Sequence, residues 1–196
     1  LKLELKCRLC GRGFLDRQKS AGQRHSSTAS RLSHKLACSL RVQHDFEFET
    51  LDISGAFLQG LRFDELASKA KDLGYEVPIA RSVFLCPPKN VWRHLRTNPK
   101  SQIHVLDAHT SYWLLECVKA MYGLVDAPLL WQLTLLHYLK VTLHGQPSLY
   151  DTNFLYWVSD FQLVLIVVVH VDDLFIAALR SWLSWLVHKV ELRFGK

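Results

Sequence analysis

Apolar and polar positions along the chain change period several times, and each change predicts an element. Residues 3–14, LELKCRLCGRGF, alternate apolar with basic or small residues, as a half-buried strand with a positive outer face would. The polar stretch 16–30 reads as a loop. From Ser30 to about Gln43, Leu32, Leu36, Ala37 and Leu40 recur at helical spacing, with Ser30 available as N-cap. FEFETLDISGAFL (46–58) alternates again and predicts a strand ending near Asp52. Residues 63–73 form an amphipathic helical pattern closed by Gly74, and RSVFLCPPKNVW predicts a brief strand stopped by Pro87 and Pro88. Residues 94–110 are polar without a period and read as loop, whereas YWLLECVKAMYGL restores a strand or turn-rich segment.

Asp126-Ala127-Pro128 then opens a helix whose leucines at 129, 130, 133, 136, 139 and 143 make a wide apolar stripe. Residues 153–171 predict a hairpin turning at Ser159-Asp160, and 180–193 is helical again. The greasiest run, FQLVLIVVVHV (161–171), has 11 residues against the roughly 20 that a spanning helix needs. Extending it buries Asp172 and Asp173 in its middle, so a buried strand fits and no membrane partner is expected. There is no internal repeat. Strands and helices mix without strict βαβ alternation, which predicts an α+β fold with an antiparallel sheet packed on helices.

Composition narrows the picture. At 196 residues and 49% hydrophobic, the chain can close one sizeable core. Net charge is +6 but uneven: residues 1–44 hold ten Lys or Arg against Glu4 and Asp16, a local +8, while the rest has 14 basic against 16 acidic residues. A basic front end on a near-neutral body suits a polyanionic partner, or simply a solvated basic face. Five cysteines without a signal peptide favour reduced thiols in an intracellular setting. Cys7-x-x-Cys10 has no second half, so a structural pair is expected there rather than a zinc site.

The chemistry centres on VVVHVDDLFIAA (167–178), where two carboxylates sit between β-branched strands. Side chains alternate along a strand, so Asp172 and Asp173 diverge unless the turn twists them. Adjacent like charges repel unless something positive lies between them, and a hard divalent cation such as Mg²⁺ suits carboxylate oxygens. A third carboxylate would complete a site for two ions about 3.5–4 Å apart, and Asp52, 120 residues earlier at the end of another apolar strand, is the candidate. The bland alternative is an ordinary polar turn and an ordinary strand terminator.

These residues carry a resemblance. LDISGAFLQG (51–60), KAMYGLVDAPLLW (119–131) and HVDDLFIAA (170–178) resemble, in this order, the three signature blocks of the reverse transcriptase of copia-type retrotransposons. KCRLCGRGFLDRQ (6–18), HSSTASRLS (25–33) and SVFLCPP (82–88) resemble flanking segments of the same family. The resemblance implies a right-hand polymerase palm with partial fingers. Residues 1–45 would be fingers, 46–196 mainly palm with an inserted helix around 61–81, and the thumb would be absent because the chain stops at RFGK where the family continues. It implies an RNA-directed DNA polymerase that adds deoxynucleoside triphosphates to a primer on an RNA or DNA template, using two Mg²⁺ ions or Mn²⁺. Asp52 and Asp172 would be the principal metal ligands, Asp173 the weaker third carboxylate, and Ile53 a backbone-carbonyl ligand. Phe57 would be the steric gate against a 2′-hydroxyl. Tyr122 and Gly123 would border nucleotide and template, Pro128 would start the helix beneath, and Lys6 and Arg8 would meet the triphosphate. His170 would pack beside the primer terminus.

By the same resemblance the chain is expected to be a piece of a polyprotein that also carries an integrase and a ribonuclease H, working in cytoplasmic particles and delivering product to the nucleus. Two departures stand out: His170 replaces the usual tyrosine, and Val125-Asp126 replaces the usual Lys-Gln of the second block. The competing expectations are a catalytically decayed copy that at most binds nucleic acid, and a carboxylate-metal nuclease or phosphatase, which has no use for Phe57.

Overall fold

The computed structural model describes residues 9–15, 26–76, 82–98 and 114–195. They fall into two compact units, one of Leu1–Ala80 with Lys119–Lys196 and the other of Arg81–Val118. Both are mixed helix and strand, and the larger is built on an antiparallel sheet, as the α+β pattern predicts.

In the larger unit the strands are β1 (Glu47–Asp52), β4 (Gln146–Pro147), β5 (Phe154–Ser159), β6 (Gln162–His170) and β7 (Asp173–Ala178), ordered β1-β7-β6-β5-β4. Every neighbouring pair is antiparallel. Helices α1 (Arg31–Gln43), α2 (Leu66–Asp72), α4 (Ala127–His137) and α5 (Arg180–Phe194) complete it. One face of the sheet meets α4 and α5 through Leu165, Val167, Val169, Leu174 and Ile176, packed with Trp131, Leu135, Leu186 and Phe194. The other meets α1 through Ile166, Val168 and Ala177, packed with Ala37, Phe46 and Phe154. Because helices cover both faces, Val164 through Val169 are all buried, which explains the unbroken apolar run better than alternation could.

Local chemistry explains most boundaries. Ser30 is the N-cap of α1, its hydroxyl accepting from the Ser33 amide at 3.1 Å. Gly74, at φ 72°, follows α2. Asp72 of that helix meets His137 of α4 at 3.2 Å. The β5–β6 turn falls one residue later than the sequence suggested, on Asp160 and Phe161. Both have φ near +50 to +60°, the left-handed backbone of a two-residue hairpin loop. The helix from Pro128 departs more. Nine of the eleven residues of α4 are buried, including Gln132 and Thr134, so it is enclosed on nearly all sides rather than along a stripe, and it runs on as a π-helical turn, Tyr138–Thr142.

In the smaller unit, β2 (Val83–Leu85) pairs antiparallel with β3 (Leu115–Cys117). The segment after the prolines is not loop throughout: Pro88 caps α3 (Lys89–Thr97), where Val91, Trp92 and Leu95 share one face. At the amino end, the strand expected over 3–14 is absent from its described part, where Gly13–Leu15 is a turn of 3-10 helix. The rest of that strand, with Lys6, Arg8 and Cys7, lies outside the described residues. No helix among the described residues is long and apolar enough to cross a membrane.

Candidate active site

The pairing of β1 with β7 decides where the acids meet. Asp52 is in register with Asp173, and Asp173 in turn with His170 across the β6–β7 hairpin. Residues in register project from the same face. One rung of three strands therefore carries His170, Asp173 and Asp52 on the α1 side of the sheet. Asp172 sits in the two-residue turn beside this rung, and its carbonyl accepts the Ile53 amide at 3.1 Å. The acid at 52 and the pair at 172–173, far apart in sequence, are thus joined by ladder pairing and one further hydrogen bond.

Asp52, Asp173 and His170 are exposed and Asp172 is half-buried. Among the described residues no side chain hydrogen-bonds or ion-pairs with any of the three carboxylates. Like charges directly opposite on neighbouring strands destabilise a sheet, so this pair is a cost to the fold rather than a source of stability. Hard-oxygen donors in this number suit Mg²⁺. As the side chains stand, no three His, Cys, Asp or Glu among the described residues converge into a metal-holding group, so binding would need the exposed carboxylates to rotate inward. Ile53 is buried, and its amide, not its carbonyl, makes the contact with the turn.

The turn itself is strained and pinned. Val171 has φ 59°, a left-handed conformation that is an outlier for a β-branched residue. Trp131, which is fully buried in α4, donates its indole Nε1–H to the Val171 carbonyl at 2.8 Å. Sequence marks Trp131 as core, and it is core. Its second role, holding the backbone beside Asp172, has no sequence signal because the partner lies 40 residues away.

The other expected residues group separately. Phe57 lies in the 3-10 turn Ala56–Gln59 that follows β1, and its ring packs against Tyr122 with centroids 5.7 Å apart. Gly123 has φ 90°, and an added Cβ would overlap the Gly11 carbonyl; one on Gly13 would overlap the Gly123 carbonyl. The glycine thus permits contact between two stretches of this chain, tied by the Gly11 amide to the Tyr122 carbonyl at 2.7 Å. Pro128 stands in the first turn of α4. A buried polar network holds the segment before α1: Gln132 Nε2 bonds Ser27 and Asn153, and Asn153 Nδ2 donates to the Ser27 hydroxyl.

No protein-family model, curated protein or solved structure matches the chain.

Proposed function

We propose that this chain is the palm and partial fingers of a copia-type reverse transcriptase, an RNA-directed DNA polymerase. The observation that carries the reading is the register of Asp52 against Asp173 with Asp172 bonded to Ile53, an arrangement the first and third sequence blocks require and an ordinary polar turn does not.

The roles are those the resemblance implies. Asp52, Asp172 and Asp173 would offer oxygen ligands to two Mg²⁺ ions, with Asp52 and Asp172 the principal pair. When bound, such ions lower the barrier to attack by the primer 3′-hydroxyl and neutralise charge on the pyrophosphate leaving group. The protein's own part would be to fix the backbone that carries these carboxylates, on a strand rung and a pinned turn, so that only side-chain rotation remains when the ions bind. Phe57, braced by Tyr122, would lie under the sugar and exclude a 2′-hydroxyl. Lys6 and Arg8 would contact the triphosphate, and His170 the primer end. The template would be RNA or DNA, and integrase and ribonuclease H would be companions in one polyprotein, active in cytoplasmic particles and the nucleus.

The test is primer extension on poly(A)–oligo(dT) with Mg²⁺ or Mn²⁺. Extension by the wild-type chain, abolished in Asp172→Asn and Asp52→Asn, is the expected result. Extension no greater than that of Asp172→Asn would replace this reading with a decayed copy, and degradation of the template instead of primer growth would point to a nuclease.

A further inference from the structure

A second donor set shares the rung, and it is nitrogen rather than oxygen. His34, on α1, faces His170 at the end of β6 with ring centroids 5.9 Å apart and planes at 68°. His34 Nδ1 lies 3.0 Å from the Ser30 carbonyl oxygen. A carbonyl only accepts, so Nδ1 carries the hydrogen and Nε2 of the neutral ring keeps its lone pair. A backbone carbonyl behind one nitrogen and a free lone pair on the other is how proteins orient metal-binding imidazoles. The two rings, with Thr50, Asp173 and Phe175, line an open cleft of about 460 Å³.

We propose that His34 and His170 together bind one borderline transition-metal ion of the Zn²⁺, Ni²⁺ or Cu²⁺ class through their imidazoles, with water filling the remaining positions. With metal–nitrogen bonds of about 2.0–2.1 Å, two imidazoles on a tetrahedral ion have centroids about 5 Å apart, so closing from 5.9 Å takes under about 1 Å of side-chain movement. His170 is exposed at a strand end and His34 half-buried on a helix surface, which leaves both rings that freedom. The bland account is edge-to-face packing, since His34 also meets Phe175 at 6.3 Å and 77°. Packing explains the distance but makes no use of the open cleft or the fixed tautomer. Imidazole favours borderline ions over hard Mg²⁺, so this site does not depend on the polymerase reading, and either can fail without the other.

Isothermal titration of the metal-free full chain with ZnCl₂ and NiCl₂, without nucleotide or primer, tests it. The chain has ten histidines, so the comparison with variants carries the result. His34→Gln and His170→Asn are each expected to lose one site or weaken it at least tenfold. His44→Gln, whose ring stacks on Phe46, should titrate like wild type, and millimolar MgCl₂ should not compete. Circular dichroism in EDTA verifies folding; should His34→Gln not fold, the exposed His170→Asn decides alone. Wild-type affinity and stoichiometry in His170→Asn would overturn the proposal.

Discussion

Replacing Trp131 by phenylalanine removes one donor and one ring while leaving an aromatic in the core. The indole Nε1–H bonds the Val171 carbonyl at 2.8 Å, and that carbonyl belongs to a residue held at φ 59°. Losing a hydrogen bond costs about 0.5–1.5 kcal/mol net, or about 1–3 kcal/mol where the acceptor stays buried and unpaired. The smaller ring also leaves a void in a fully buried site, adding about 1 kcal/mol at roughly 24 cal/mol per Å³. Together the expected destabilisation is about 2–4 kcal/mol, read from the shift in urea midpoint at constant slope. The hydrogen bond also opposes strain, since a β-branched residue in the left-handed region costs about 1–2 kcal/mol. Val171→Gly should therefore stabilise, by up to about 1 kcal/mol once the entropy of glycine in the unfolded chain is subtracted. A Trp131→Phe cost below about 1 kcal/mol, the range of a tolerated core swap, would refute the pinning argument, and so would a destabilising Val171→Gly.

Three further outcomes are expected. Burial alone would raise the Asp151 carboxyl, but the Ser30 amide at 2.8 Å, the Ser33 hydroxyl and the Asn153 amide at 3.0 Å outweigh it and hold its pKa below the ordinary carboxylate value. A depressed folded pKa stabilises fully above the unfolded value of about 3.9 and is lost as pH falls through the folded one. Asp151→Asn should thus lower the urea midpoint at pH 7 and flatten the loss of stability below about pH 4; identical pH slopes in variant and wild type would contradict this. Gly123→Ala combines positive-φ strain with backbone overlap and should cost about 2–4 kcal/mol and open 9–15 to protease, whereas a melting shift below about 2 °C would show that the two glycine segments separate freely. If primer extension is found, Phe57→Ala should raise ribonucleotide use relative to deoxynucleotide use, and an unchanged ratio would remove Phe57 from the sugar site.

Legibility in the sequence followed how local the cause was. The Ser30 cap, the end of β1 at Asp52 and the strands flanking 170–173 rest on signals within a few residues, and all of them appear in the fold. Helix α3 was hidden because its apolar residues, Val91, Trp92 and Leu95, are few and its other positions polar, so a short period drowned in a charged segment. The near-complete burial of α4 could not be read because Gln132 and Thr134 look like a solvent face; their partners, Ser27, Asn153 and the Leu130 carbonyl, become visible only once the chain has folded. At the candidate site the acids themselves were legible. The Trp131 pin and the approach of His34 were not, since each joins elements whose spacing in space no local pattern encodes.

The position of the polar rung follows from the core as much as from any chemistry. Strand β6 is buried on both faces from Val164 to Val169 because α1 covers one side and α4 with α5 the other, so no charged residue could stand along that stretch without costly desolvation. On the central strands β6 and β7 charge returns only where they run out from between the helix layers, at His170 and Asp173, and the register sets Asp52 of the edge strand β1 beside them. Apolar packing therefore fixes where these side chains stand, while their identity is left to selection for something other than stability, since an opposed carboxylate pair weakens the sheet. Substituting Asn for Asp52 should accordingly leave the melting temperature unchanged or raise it slightly. A clear loss of stability would instead make that carboxylate part of the scaffold and remove the strongest physical reason for regarding the rung as a site.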